Sequence, residues 1–418
     1  MQLLARNRNF RLLFSASAVS NLGDGISALA FPWLATLITH DPLLIAMVAA
    51  ATRLPWLLFA IPAGVLTDRT DRRRLMLQAD IARTALTCGV VALVLAAPPL
   101  PLNAAPTTAI WLISLLSLAA FLLGTAEVIR DNAAQTVLPS VVHADDLERA
   151  NGQLWSIEQI MGQFIGPPLA GILIALAAPI PFTFNALCFA LAAACLWTVT
   201  LLPRPTAKLP DGIFAQMHEG IIWLFNTPLI LKLAVMLGAL NMTAVMCLTV
   251  LVLFSQEVLG LSAAGHGLLL TAGAAGGVAG GMIGPLIAAR LGGQTTVRLS
   301  LLLFPLPYAL IFLAPNPALV AVALFVETFA GMTWNVVTVS LRQRMIPDAL
   351  LGRVNSVYRF FGWGVMPIGA MLGGALVTLA EPSLGREAAL RLPYALASLS
   401  MIGTLIYGLM FLRFDTKA

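Results

Sequence analysis

Asp24 is the only charged residue in a long apolar run, and Ser17 and Asn21 share its helical face at spacings i, i+4 and i+7. About 18 Å of helix lies between the start of that run and Asp24, which puts the carboxylate near the middle of any bilayer the run crosses. A charge at that depth costs roughly 2.5–3.5 kcal/mol, and protonation removes it. This is the chemistry that coupling to protons requires, and an ionised Asp24 could instead hold a cationic substrate. The structural alternative is a static pair with Arg53, which stands at similar depth in the next run. Further along, Glu127, Arg130 and Asp131 are spaced i, i+3 and i+4. They can close into an ion cluster within one helix or take part in moving charge. Glu158, Gln159 and Gln163 follow on the next predicted helix.

Glu327 is the isolated acid of the second half of the chain. It lies about 14 Å from the outer end of its run, with Gly331, Trp334 and Thr338 on the same face. A carboxylate beside an aromatic ring suits a cationic or amphipathic ligand. A hydrogen bond from a neighbouring helix is the plainer alternative. Asn241, Tyr358, Arg359 and Trp363 are further candidates for lining a cavity.

Other chemistry is not indicated. There is no GxxxxGK[ST] loop for ATP, no Ser-His-Asp or HExxH arrangement, and no CxxC or His-paired cysteine spacing. Cys88, Cys188, Cys195 and Cys247 all fall in apolar runs, and the histidines are scattered over helix ends and loops. No cofactor and no metal site is expected.

The elements that must position these residues are membrane helices. The chain is 59% hydrophobic and only 10% charged, against about 25% charge in a soluble domain, so its solvent is lipid. Twelve stretches can span: roughly 12–38, 43–67, 75–97, 109–138, 152–178, 184–202, 229–256, 265–289, 297–314, 318–342, 353–380 and 392–412. Between the second and third lies the charged turn from Gly64 to Arg74, which has to be a tight loop in water. Its basic excess assigns it to the cytoplasm, and the basic residues of the loops then fall on that side except Arg386 and Arg391. Both termini are therefore expected inside. The net charge of +5 marks a membrane face rather than a nucleic-acid surface. The N-terminal run is too long for a cleaved leader and reads as a retained first helix.

The chain divides into an N-terminal bundle at 1–202, a linker at 203–228 and a C-terminal bundle at 229–418. In the linker, Ile213, Phe214, Met217, Ile221, Ile222 and Leu224 recur near helical spacing. Either a helix on the inner leaflet or an ordinary linker fits. The halves repeat: Leu147-Glu-Arg149-Ala-Asn151 resembles Leu351-Gly-Arg353-Val-Asn355. Downstream, Ile165-Gly-Pro-Pro-Leu-Ala-Gly171 resembles Ile368-Gly-Ala-Met-Leu-Gly-Gly374. Two related six-helix halves are a transporter signature, with a site expected near midplane between them.

These residues resemble the Major Facilitator Superfamily. Gly64, Asp68, Arg69, Arg72 and Arg73 match its motif A, with Asp71 where the pattern has Gly. Asn21-Leu-Gly-Asp24-Gly25, Asp68 to Arg74, and Leu147 to Asn151 are similar to the twelve-helix drug:proton antiporter branch that includes macrolide-efflux pumps and the enterobactin exporter. The resemblance implies an all-α polytopic fold of two pseudo-symmetric six-helix bundles. It also implies that Asp68 is a conformational latch reaching helix 11, where Arg353 and Arg359 are the local candidates. Gly162, Gly166, Pro167 and Gly171 resemble motif C, with Gln153 in place of its upstream Gly. The resemblance brings helices 5 and 8 together, where these residues and the glycines of helix 8 would let the halves rock; simple close packing is the alternative.

The expected protein is a monomeric, proton-coupled exporter of small hydrophobic or amphipathic compounds in a bacterial inner membrane, working by alternating access. Its partners are the substrate, protons and the bilayer, and not nucleic acid. Uptake or uniport of a siderophore, metabolite or metal ion is the alternative. A membrane enzyme or sensor fits less well, because no clustered catalytic motif and no added soluble domain is visible.

Overall fold

The computed structural model describes residues 2–103, 105–143, 146–200, 213–347 and 350–414, and all regular structure among them is helical. The long helices are α1 (Arg8–Ile38), α2 (Pro42–Arg69), α3 (Arg72–Ala96), α4 (Pro106–Val137), α5 (Leu147–Gln159 continuing to Leu176), α6 (Ile180–Trp197), α7 (Pro228–Leu253), α8 (Ala263–Leu291), α9 (Gly293–Leu303 and Pro305–Leu313), α10 (Pro317–Met345), α11 (Leu351–Trp363 and Met366–Leu384) and α12 (Arg386–Phe411). Among the described residues, eleven helices are long and apolar enough to cross a membrane. The twelfth expected span, α1, is a continuous helix of 31 residues. Ser17, Ser20, Asn21 and Asp24 dilute its apolar character and keep it out of that count.

Local chemistry sets the boundaries. Asn7, Asp71 and Asn316 cap α1, α3 and α10 by accepting from the backbone N–H three residues on. Gly385, at φ +80°, both ends α11 and starts α12, a conformation that costs a side-chain-bearing residue and costs glycine nothing. Prolines account for the interruptions. Pro305 and Pro307 follow the break in α9, and Pro367 follows the turn in α11. In α5 the stretch Ile160–Ile165 is a π-helix. Pro167 and Pro168 just beyond it cannot donate back to Gln163 and Phe164, which frees those carbonyls and permits the wider turn.

The chain forms two compact units. Unit 1 comprises Met1–His40, Met47–Leu209 and Ser262–Leu268; unit 2 comprises Asp41–Ala46, Pro210–Leu261 and Leu269–Ala418. In unit 1, Asn9 donates to the carbonyl and hydroxyl of Thr200 at 2.9 and 3.1 Å, tying the start of α1 to the chain just past α6. In unit 2, Lys232 Nζ donates to the carbonyl of Phe411 at 3.1 Å, tying the start of α7 to the end of α12. The linker positions 201–212 lie outside the described residues, and Ile213–Asn226 is a helix. It packs on α11 through buried Leu224, the backbone of Gly220 against Arg353, and an ion pair between Glu219 and Arg353. Arg386 and Arg391, expected in an outer loop, belong to the first turns of α12. Arg386 bridges Glu257 and Glu381, and Arg391 donates to the carbonyls at the end of α9.

Candidate functional site

The interior of unit 1 holds a chain of alternating charge running from α1 through α3 to α4. Asp24 is paired with the Arg83 guanidinium. Arg83 also donates to Ser20 Oγ at 2.9 Å and lies 3.4 Å from Asp80. Asp80 in turn stands 3.0 Å from Arg130, which is 3.6 Å from Asp131. The ring of Phe189 on α6 covers Arg83 at 3.8 Å, so the guanidinium is sandwiched as well as paired. The middle of this chain is out of solvent and its ends are not. Asp80 has no exposed side-chain surface, while Asp24 and Asp131 retain 25% and 33%.

Arg130 and Asp131 do pair within their helix, and the alternative of a paired Asp24 is met with a different cation. Arg53 is exposed on α2, and the cation beside Asp24 is Arg83. Helical spacing can place residues on one face, but it cannot say which neighbouring helix supplies the counter-charge. Glu127 is half-buried one turn before Arg130, within the electrostatic reach of Asp131, Arg83 and Arg53. Among the described residues no hydrogen bond or ion pair reaches it. Among the described residues the site therefore sets four carboxylates against Arg83 and Arg130, with Arg53 exposed on α2. A buried charge without a partner is costly, so such a site favours taking up a proton or another cation. Asn21 spends its amide on Ser17, at 2.8 Å to the carbonyl and 3.2 Å to the hydroxyl. Gln159 is half-buried and Gln163 is exposed; neither joins the chain of charges.

Motif A turns out to be partly a fastening. Arg72 donates to the carbonyl of Thr136 at 2.9 Å, at the end of α4. Arg73 donates to Leu196 and Trp197 at 3.0 and 2.5 Å, at the end of α6. Cations on the free carbonyls of helix ends are favoured both by hydrogen bonding and by the helix dipole. Gly64 has open space where a Cβ would stand. The side chains of Asp68 and Arg69 lie outside the described set, and Arg353, one expected latch partner, is engaged by Glu219.

The glycine faces differ from expectation. Gly162 and Gly166 of α5 face α1, not α8: a Cβ on Gly166 would collide with Gly25, and one on Gly25 with the carbonyl of Gly162. The expected meeting with α8 is present at its start, where Gly171 abuts Ala263 and Ala264 and Pro167 backs Gly267. Beyond that start, Gly276, Gly280 and Gly284 of α8 seat α10 through Phe325, Phe329 and Thr333. Small residues let backbones touch; the pattern shows this, and the partner has to come from the fold.

In unit 2, Tyr308 on α9 donates its hydroxyl to Glu327 Oε1 at 2.7 Å. The interhelical hydrogen bond proposed as the plain alternative is thus present. Trp334 is 1% exposed, and its indole N–H has no partner among the described residues. Asn241 does not present its amide to a cavity, because it donates to the carbonyl of Gly362 at 2.8 Å and binds α7 to α11. Tyr358 is buried beneath the Arg342 guanidinium at 3.7 Å, and Arg359 stacks on Trp363 at 4.3 Å.

Sequence reasoning missed Asp80, Arg83 and Tyr308. Asp80 and Arg83 carry the same i, i+3 signal as Glu127 and Arg130, but they start within three turns of the charged loop at 69–74, where charge is unremarked. Tyr308 had no signal beyond the rarity of tyrosine in this chain, which has four.

The sequence matches the transmembrane secretion effector family over residues 4–413. It is 26% identical over 405 residues to the multidrug efflux pump Tap of Mycobacterium tuberculosis, covering 90% of this chain and 89% of that one. It is 26% identical over 424 residues to the enterobactin exporter EntS of Escherichia coli, covering 99% and 93%. Among solved structures, the nucleoside transporter NupG (D323A mutant) superposes with a TM-score of 0.76 at 11% identity, covering 96% of this chain and all of that one. A bacterial homologue of the iron transporter ferroportin in its inward-facing state gives 0.72 at 17% identity, covering 95% and 98%. These two establish the fold alone. The chain therefore belongs to the transmembrane secretion effector family of the Major Facilitator Superfamily, as a multi-pass membrane transporter and not an enzyme.

Proposed function

We propose that this protein is a proton-coupled exporter of small hydrophobic or amphipathic compounds, acting as a monomer in the bacterial inner membrane with both termini cytoplasmic. The observation that carries the reading is the ion chain from Asp24 to Asp131, in which Arg83 and Arg130 are each shared between two carboxylates. Protonating Asp24 loosens its hold on Arg83, which keeps Ser20 and Asp80 as partners. The cation is then never stranded, and the proton changes which helix pairs are tied. A change in the relative energy of two arrangements is what biases an alternating-access cycle. Glu327, held by Tyr308, supplies the second half's acid for a cationic or amphipathic substrate. Export as the direction draws on the two efflux relatives.

The test is efflux from proteoliposomes driven by a pH gradient. Asp24→Asn should abolish pH-driven transport while the purified protein keeps its unfolding temperature within a few degrees. If the variant remains coupled, Asp24 has no part in the mechanism. The similarity to EntS over nearly the whole chain favours a second reading, export of a siderophore. A binding screen that includes both drug-like cations and siderophores separates the two.

A further inference from the structure

A cavity of about 480 Å³ opens in unit 1 where α1 begins, α4 gives way to α5, and the chain leaves α6. Amide side chains build its frame. Asn7 donates to the carbonyl of Val141 at 2.8 Å, and Asn9 holds Thr200. Arg6 and Arg8 from the start of the chain and Arg149 from the first turn of α5 line it, against a single lining carboxylate, Asp146. The neighbouring side chains of Asp145 and Glu148 lie outside the described set. Among the described residues no hydrogen bond or ion pair reaches any of these three guanidiniums. All three are exposed and fold no part of the unit by pairing. Arg11, by contrast, donates to the Leu4 carbonyl at 3.3 Å.

Unpaired guanidiniums gathered around one cavity repel one another until an anion bridges them, and their forked donors match the oxygens of a phosphate. The volume falls in the range of about 300–1,000 Å³ typical of small-molecule sites. Leu3 adds an apolar wall. Trp197, a few residues before Thr200 and largely exposed, marks the level of a membrane interface.

We propose that this cavity binds a phosphate-bearing anion through Arg6, Arg8 and Arg149. An anionic phospholipid headgroup and a free phosphate compound offer the same chemistry. A bound phosphate would join the start of α1, the helix that carries Asp24, to the start of α5, and so add a polar tie between two segments that already pack through Phe10, Leu13 and Ala150.

The experiment uses the full-length protein in neutral detergent and measures binding by native mass spectrometry with short-chain phosphatidylglycerol, zwitterionic short-chain phosphatidylcholine and inorganic phosphate. Saturable binding of phosphatidylglycerol over phosphatidylcholine is expected. The combined Arg6→Gln, Arg8→Gln and Arg149→Gln variant should weaken it on the order of 10- to 100-fold. Arg290→Gln with Arg344→Gln, exposed positions in unit 2, should leave it unchanged. Competition by millimolar phosphate assigns the site to free phosphate compounds, and failure to compete assigns it to the lipid; either outcome supports the site. Absence of binding to the unmodified protein, or equal binding to the triple and control variants, overturns it. Should the triple variant not purify, Arg149→Gln alone carries the test, with a severalfold weakening expected.

Discussion

In unit 1 five charged side chains alternate in sign from Asp24 to Asp131, and each middle member touches two neighbours. Within the spans of unit 2 the acid Glu327 meets a phenol instead, while Asn241 is spent on the Gly362 carbonyl and Tyr358 lies under Arg342. The two sequence-related halves have thus solved the same problem, polar groups in lipid, in different ways. A charge chain can change its pairings when one proton arrives, because every carboxylate lost leaves a guanidinium with another partner. A single phenol–carboxylate bond has no such alternative partner. On the proposed function, switching falls to unit 1 and recognition to unit 2.

Breaking the chain of charges should have the largest effect. Arg83→Ala leaves Asp24 and Asp80 facing each other's field without their shared cation, and should lower stability by about 3–5 kcal/mol, read as a drop in unfolding temperature in detergent. The matching deletion in unit 2, Tyr308→Phe, should cost only about 1–3 kcal/mol. Equal losses would erase the contrast drawn above.

The glycine contacts are where the two units should behave alike. Gly25→Ala in unit 1 drives a methyl into the Gly162 carbonyl, and Gly276→Ala in unit 2 drives one into Phe325. Each should destabilise by about 1–3 kcal/mol on thermal melting. Gly277→Ala, with open space at its Cβ, should be neutral or stabilise by up to about 1 kcal/mol.

Recognition by unit 2 makes a narrower claim. Glu327→Gln preserves an acceptor for Tyr308 but removes the charge. Efflux of a cationic dye should fall about tenfold, the equivalent of roughly 1.4 kcal/mol, with a neutral dye unaffected. A parallel fall for both dyes would move Glu327 from recognition to structure. The smallest effect is expected at the helix ends: Arg73→Gln gives up contacts with the α6 carbonyls and should cost about 0.3–1 kcal/mol by the same melting assay.

The fold was legible because hydrocarbon imposes one strong rule, and the twelve apolar stretches each became a helix, α9 and α11 with proline-associated breaks. Intrahelical relations were legible too: Ser17 and Asn21 do bond as their spacing implied, and Arg130 does approach Asp131. What failed were the relations between helices. Asp24 was matched to Arg53 by depth alone, and depth is shared by every helix of a bundle. The resemblance set the glycines of α5 and α8 against each other; Gly171 does meet the start of α8, while Gly166 meets α1 and Gly276 meets α10. Composition identifies a surface that wants a close neighbour, and only the packing of the whole unit selects it.

The bonds from Asn9 to Thr200 and from Lys232 to Phe411 join positions 191 and 179 residues apart. Each unit thereby fastens the start of its first long helix to the end of its last. A segment whose two ends meet can be copied or spliced to another without dragging its interior out of place, and that is the geometric condition a tandem gene duplication must satisfy to yield a working protein.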